Sequence, residues 1–271
     1  MKVNIGFQVI AMYGDLPDMQ KAWMDAEELG ADRLYTSDHL NAFTFDTSVL
    51  EGDQHQSKLT AGGQVYEGTT VQAAMAVTTR RAEIGCVVHA NSYRNPNMMA
   101  YIAGTIDHLS RGRFILGMGT GFFQHDYESF GYPWGTQTSR AEDMARDVPI
   151  IKSRLAQLNP KPLRHIPIMI ASMGEKIGMR VVAEHADIWH LYGPLEKMAQ
   201  KIDALKSICR EIGRDPADIE IATNYTPALL KDADPDKYLA LGITHLICLE
   251  QGPVWDRGLL REVLAWRKAL G

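Results

Sequence analysis

The sequence predicts a single-domain (β/α)8 TIM barrel, an α/β fold. Three observations carry that prediction. Segments with the two-residue apolar period of strands alternate with segments of helical period, the alternation repeats eight times, and the eight units use nearly all of the 271 residues. Alternating strands and helices imply a parallel sheet, and eight units at this length favour a closed barrel over an open doubly wound sheet.

The first strand reads from Lys2 to Val9. Met19, Ala22, Trp23, Ala26 and Leu29 then recur at helical spacing and stop at Gly30, a residue suited to the left-handed turn that ends helices. Ala31 to Asp38 is the second strand and ends in Ser37-Asp38-His39. Asn41 to Gln64 has no period and reads as a long loop, a length that in a compact domain usually serves binding. A helix from Tyr66 to Val77 and a third strand from Glu83 to His89 follow. Asn95 can cap the next helix, with Pro96 where a missing N–H costs nothing, and Met99, Ile102, Ala103, Ile106 and Leu109 form its apolar face.

The fourth strand, Arg113 to Gly119, leads into a looped excursion and then a helix from about Ser139 to Leu158. Asn159-Pro160-Lys161-Pro162 is the strongest breaker in the chain, but the rhythm resumes after it, so it reads as a loop inside one domain spanning 1–271. The remaining strands are Ile166 to Ala171, Ala186 to Leu191, Asp218 to Asn224 and Thr244 to Leu249. Their helices are Glu175 to Glu184, Pro194 to Ile212, Pro235 to Leu241 and Leu259 to Leu270.

Composition narrows the function. With 45% hydrophobic and 23% charged residues the chain can bury a substantial core. A net charge of -5, with no run of Lys and Arg, argues against nucleic acid or an anionic membrane as partner. No stretch approaches the ~18 apolar residues of a membrane span. Cys86, Cys209 and Cys248 are scattered and have no C-x-x-C spacing, so neither a disulfide framework nor structural zinc is expected. The first residues alternate like a strand rather than like a signal peptide. Together these features lead to the expectation of a cytoplasmic protein.

In a barrel of this kind the active site forms where strands end and the following loops converge. Those ends carry Gln8, Asp38-His39, His89 to Asn91, Thr120-Gly121, Ser172 to Gly174, His190 with Tyr192, Asn224 and Glu250. His39 is the candidate proton-transfer residue, with Asp38 available to orient it. The plainer alternative is a capping Asp beside a His that fills the mouth. His89 and His190 are weaker candidates, since a neutral His satisfied by a neighbour is the commoner outcome. No His-x-His or His-Glu-x-x-His is present, and no metal centre is expected, although single histidines can converge in space.

Gly117-Met118-Gly119-Thr120-Gly121 fails the G-x-G-x-x-G fingerprint because Phe122 stands where the third Gly belongs. Its glycines either let a ring lie on bare backbone or relieve crowding. Ala171-Ser172-Met173-Gly174 precedes a helix whose N–H groups can hold a phosphate, or is an ordinary turn. Phe43, Phe45, Phe122, Phe123, Tyr127, Tyr132 and Trp134 gather in loops and suggest an apolar pocket. Trp189, Met98, Met99 and Met144 read as core packing.

The run from Ser92-Tyr93-Arg94-Asn95-Pro96 through Ala103, Thr105, Asp107-His108-Leu109-Ser110 and Gly112-Arg113 to Ile115-Leu116-Gly117-Met118-Gly119-Thr120-Gly121 resembles the signature of the luciferase-like monooxygenase superfamily. Ser37-Asp38-His39, Ala171 to Glu175 and Ala186-Asp187-Ile188-Trp189 match as well. The chain looks most similar to members that use the deazaflavin coenzyme F420, although members that use FMN share much of the pattern. The resemblance implies a cofactor ring in the barrel mouth, a homodimer, and a non-prolyl cis peptide that by position falls at Cys86-Val87.

Carried over by residue, His39 is the catalytic group at the reactive ring edge, Val87 and Val88 back the ring, and Thr120 and Gly121 touch it. Asp38 and Ala171, Ser172, Met173 and Gly174 complete the cofactor site, with Ser172 to Gly174 on the phosphate. The implied reaction is hydride transfer between F420 and a small organic substrate. The alternatives are an FMN-dependent monooxygenase and a cofactor-binding protein without turnover. Phe122 departs from the Glu that some F420-dependent dehydrogenases carry after Gly-Thr-Gly, so a sugar-phosphate dehydrogenase using that acid is not expected. The acidic net charge also leaves the anionic tail of F420 without an obvious basic groove.

Overall fold

Eight barrel positions surround the core of this computed structural model, which describes residues 2–12, 14–44, 58–60, 63–174, 176–226, 234–250 and 252–271. β1 (Asn4–Val9) is buried along its whole length, as expected for a strand covered on both faces. Its six residues pair one for one with His245–Glu250 of β11 (Ile243–Glu250). On its other side lies β2 (Arg33–Thr36). The sheet continues from β11 through β10 (Glu220–Tyr225), β9 (Ile188–His190) and β8 (Ile168–Ala171) to β7 (Leu116–Gly119), all parallel.

The third position differs from its expected form. The strand predicted as continuous from Glu83 to His89 is split into β5 (Glu83–Cys86) and β6 (His89–Ala90). β5 pairs with β2 and bonds across the closure, Ile84 N–H to Arg113 O at 2.9 Å and Ile115 N–H to Ile84 O at 2.8 Å. β6 pairs with β7. The sheet therefore has nine strands in eight positions and closes. The non-prolyl cis bond lies at Val87-Val88, not at Cys86-Val87. Val87 N–H still donates to Thr36 O at 3.0 Å, so the regular ladder runs one residue further than the resemblance implied.

Helices cover the outside. α1 (Leu16–Leu29) starts where Asp15 accepts from Asp18 N–H and stops at Gly30, whose φ of 111° suits glycine. Met19, Ala22, Trp23 and Ala26 are its buried face, as the period predicted, while Leu29, the fifth residue of that period, is only partly buried. α2 (Gly68–Thr78) is capped by Glu67, and α3 (Pro96–Leu109) by Asn95. On α3 the packing face is turned from the one predicted. Gly104 lies against Leu158, while Leu109 and Met98 are exposed, so Met98 is not the core residue expected. Met99 and Met144 are buried.

After β7 the predicted loop contains a helix, α4 (Gln124–Phe130), before α5 (Gln137–Gln157). The breaker at 159–162 joins α5 to β8 within the barrel. α6 (Ile177–His185), α7 (Leu195–Ile212), α8 (Pro235–Ala240) and α9 (Gly258–Ala269) complete the nine α-helices of the described residues, one more than predicted. In the long loop after β2, β3 (Phe43–Thr44) and β4 (Lys58–Leu59) pair antiparallel. The rest of that loop between them, Phe45 included, lies outside the described residues, as does Glu175. Among the described residues no helix is long and apolar enough to cross a membrane.

Candidate active site

At the C-terminal ends of the strands a cavity of about 230 Å³ opens. His39, Asp38, Val87, Val88, Thr120, Gly121 and Ala171 to Gly174 all line it, so the predicted site residues meet in one place.

His39 follows β2, and its ring sits edge-on to Phe43 and Phe122, with centroids 4.5 and 5.1 Å away. Its orienting carboxylate is not Asp38 but Asp126, from α4. His39 Nδ1 lies 2.9 Å from Asp126 Oδ2, and Asp126 is fully buried. Tyr93 OH donates to the same oxygen at 3.1 Å, and Asn41 Nδ2 donates to Oδ1 at 2.9 Å. Burial, then the adjacent Asp126 charge, pushes the Tyr93 phenol well above its usual range and keeps it a donor. With three donors converging on two carboxylate oxygens, Nδ1 carries the His39 ring proton and Nε2 is left to exchange one.

Asp38 is engaged elsewhere. Arg94 grips it through both oxygens, at 2.6 and 2.7 Å, Ala90 N–H adds a third bond, and His89 Nδ1 lies 3.2 Å away. Burial opposes its ionisation, but the His89 ring and the Arg94 guanidinium outweigh that and hold its carboxyl well below the usual range. Asp38 thus anchors the floor rather than orienting His39. His89 is buried against Gln72 and does not line the cavity, and Asn91 bonds Asp147.

The Val87-Val88 bulge forms one wall, and the glycines of β7 make room for it. A Cβ on Gly117 would fall 1.9 Å from Cys86 O, and one on Gly119 would fall 2.6 Å from Val88 Cγ2. Crowding alone therefore requires glycine at 117 and 119, while Gly119 and Gly121 also line the cavity. Gly121, at a φ of 76°, lies under the Tyr127 hydroxyl, which donates to Thr120 O. Of the described aromatic residues expected to form the pocket, Phe122 alone lines it; Phe43 and Phe123 pack with Ile10 and Met12, and Tyr127, Tyr132 and Trp134 pack behind Tyr93.

Across the mouth, the Ser172 hydroxyl lies against Gly178 in the first turn of α6, where a Cβ would come within 1.9 Å of it. Among the described residues no side chain caps that helix start. Trp189 Nε1 donates to Ser172 O at 3.0 Å, so Trp189 fixes the turn as well as packing. Lys201 Nζ donates to Met173 O at 2.8 Å and brings a cation to the same turn. On the floor His190 bonds Asn224 and lines the cavity. Among the described residues no group of three or more His, Cys, Asp or Glu is placed to hold a metal.

The model of the luciferase-like monooxygenase family matches residues 10–237. The chain belongs to that family. Within it, a phthiodiolone/phenolphthiodiolone dimycocerosates ketoreductase from Mycobacterium tuberculosis is 28% identical over 258 residues, covering 84% of this chain and 65% of the relative. The chain thus spans just under two thirds of that relative's length. Among solved family structures, an F420-dependent secondary alcohol dehydrogenase in complex with an F420-acetone adduct superposes with a TM-score of 0.77 at 16% identity, over 97% of this chain and 98% of that one. The F420-dependent tetrahydromethanopterin reductase from Methanopyrus kandleri gives 0.74 at 15% identity, over 98% of each. A type II Baeyer-Villiger monooxygenase from Pseudomonas putida, in complex with FMN, gives 0.62 at 14% identity, over 83% of this chain and 67% of that one.

Asp126 is the site residue that the sequence reading missed. Its segment, Gln124–Phe130, buries only Asp126 and Tyr127, so no helical apolar period marks it. The available signal was a lone acid between Phe123 and Tyr127 in an otherwise aromatic loop.

Proposed function

We propose that the protein is an F420-dependent oxidoreductase that interconverts an apolar ketone and its secondary alcohol. The observation that carries this reading is the His39–Asp126 couple at the edge of an apolar cavity. It is a proton-transfer group set among aromatic rings, with its side chain only 17% exposed.

The residues present fit a deazaflavin. The Val87-Val88 bulge offers an apolar wall, and the start of α6 with Ser172 and Gly174 offers N–H and hydroxyl groups to a phosphate. When bound, reduced F420 supplies a hydride and no proton. In the carbonyl-reducing direction His39, carrying a proton on both ring nitrogens, gives the one on Nε2 to the carbonyl oxygen and is left with Nδ1–H; in the reverse direction the bare Nε2 takes the hydroxyl proton. Asp126 keeps Nδ1–H in place throughout, so that only Nε2 exchanges. Ile10, Met12, Phe122, Met198 and Leu249 line the cavity and select an apolar substrate.

The likeness in fold to the two F420-dependent enzymes, with TM-scores of 0.77 and 0.74 against 0.62 for the FMN-bound monooxygenase, supports F420 as the first reading. Titration of the purified protein with F420 and with FMN, followed by fluorescence, tests the assignment. Saturable F420 binding is expected. FMN binding without F420 binding overturns the cofactor, and binding of neither overturns the redox reading. His39→Ala is expected to reduce turnover by about 10²–10⁴-fold with cofactor binding retained. A homodimer, implied by the resemblance, is checked by light scattering, where twice the mass of one chain is expected.

A further inference from the structure

The cavity floor holds a chain of hydrogen bonds whose direction is fixed from one end. Gln8 Nε2 lies 3.2 Å from Val87 O and 3.4 Å from Thr36 O. Backbone carbonyls only accept, so the end of Gln8 that faces them is its NH2 group. Its Oε1 therefore faces Asn224, whose Nδ2 donates to it at 2.8 Å. That leaves Asn224 Oδ1 toward His190 Nε2, at 2.6 Å, so His190 carries its proton on Nε2. Nδ1 of a neutral imidazole is then a bare acceptor. It is buried, has no partner among the described residues, and belongs to a side chain that lines the cavity. Burial pushes the His190 pKa down to about 4, so the ring stays neutral near pH 7.

We infer that His190 Nδ1 is a ligand-binding atom, a fixed acceptor that pairs with an uncharged N–H or O–H donor on the molecule in the cavity. An unpaired buried acceptor carries a free-energy cost that such a donor removes. The same relay ties the acceptor to Val87 O in the bulge, so the wall and the acceptor are set against each other. Two donors have the required chemistry, and naming them rests on the proposed function. One is the imide N–H of a flavin or deazaflavin ring, and the other is the hydroxyl of an alcohol substrate. A ketone has no such donor, so in the second case His190 holds the alcohol, in preference to its product, in a ground state that precedes transfer of the same hydroxyl proton to His39 Nε2.

Nitrogen-15 NMR of the histidine rings tests this in the wild-type protein, with His190 assigned from His190→Gln. At pH 7 without ligand the Nε2–H form with bare Nδ1 is expected, and an Nδ1–H form overturns the inference. F420, FMN, N3-methyl-FMN and propan-2-ol are then added, propan-2-ol being compared with acetone. An upfield move of Nδ1 with F420 or FMN, absent with N3-methyl-FMN, assigns the imide. A move with propan-2-ol but not acetone assigns the alcohol. A resonance that moves with none of them overturns the inference even when F420 binding is confirmed by fluorescence. If neither cofactor binds and propan-2-ol has no effect, the proposed function and this ligand assignment fall together. His190→Leu is expected to weaken binding of the assigned ligand about tenfold, and His190→Gln, which keeps an acceptor oxygen, to restore most of it.

Discussion

Asp126→Asn separates the chemical role of the buried carboxylate from its structural one. In the wild type its two oxygens receive His39 Nδ1, Tyr93 OH and Asn41 Nδ2. Asparagine keeps one of those oxygens and turns the other into an NH2 donor. If the remaining oxygen faces His39, the NH2 opposes Asn41 Nδ2 and two donors are left against each other in a buried site. If it faces Asn41, the NH2 opposes His39 Nδ1, and the ring must move its proton to Nε2 to satisfy it. Either arrangement costs about 1–3 kcal/mol for the unsatisfied or rearranged group, or roughly 2–10 °C in Tm for a chain of this size. The second also inverts the ring atom offered to the substrate. Turnover is expected to fall by about 10²–10⁴-fold, with the Kd for F420 within about threefold of wild type. The assay is the change in deazaflavin absorbance against a panel of secondary alcohols, beside a melting curve of each variant. Asn41→Ala, which removes one donor and leaves the His39–Asp126 bond, serves as the control. A lowered Tm with unchanged turnover in Asp126→Asn would refute the tautomer argument and leave Asp126 a structural residue.

Three further outcomes follow from the geometry. Gly178→Ala places a Cβ where the Ser172 hydroxyl now lies, so the hydroxyl must leave the α6 start, and binding of F420 measured by fluorescence is expected to weaken about tenfold, as for one lost charge-assisted bond. Unchanged affinity in a folded variant would exclude this turn as the phosphate site. Arg94→Met leaves the buried Asp38 carboxylate short of its cation and is expected to cost about 3–5 kcal/mol at pH 7 by denaturant unfolding. Asp38, and Glu67 pushed down to about 2, ionise more readily folded than unfolded, so their contribution is complete above about pH 4 and is lost as pH falls toward 2. Melting curves of the wild type should therefore drop through that window, and those of Arg94→Met should drop less. A steeper drop in the variant would contradict the assignment.

How much of this was legible in the sequence depended on the kind of signal. Strands buried on both faces leave short apolar runs and helices packed on one leave a period, and so the barrel and caps such as Asn95-Pro96 could be read directly. Convergence of the predicted residues on one mouth followed from the barrel topology alone. The His39 partner was not readable, because Asp126 lies 87 positions away and comes near only through the packing of a short helix without a period. The adjacent Asp38 looked like the partner, but successive residues leaving a strand point apart, and Arg94 claims the acid. The one-residue error in the cis bond has a similar origin. Whether Val87 N–H stays on the ladder is decided by Thr36 O across the sheet, which no local pattern records. His89 and His190 looked equivalent as strand ends until the structure showed one against Gln72 and the other on the cavity.

The two β7 glycines also bear on how this pocket can be reshaped. Because Cys86 O and Val88 occupy the space above Gly117 and Gly119, neither position has room for a side chain while the bulge stands. Retuning the wall thus requires coordinated change on two neighbouring staves, a step that single substitutions do not reach. The aromatic edge around Phe43 and Phe122 is carried by loops and has no such coupling to the barrel ladder. Libraries aimed at new substrates should therefore yield active variants at the edge and almost none at the glycines, so that the family's chemistry stays fixed on one side of the mouth while specificity drifts on the other.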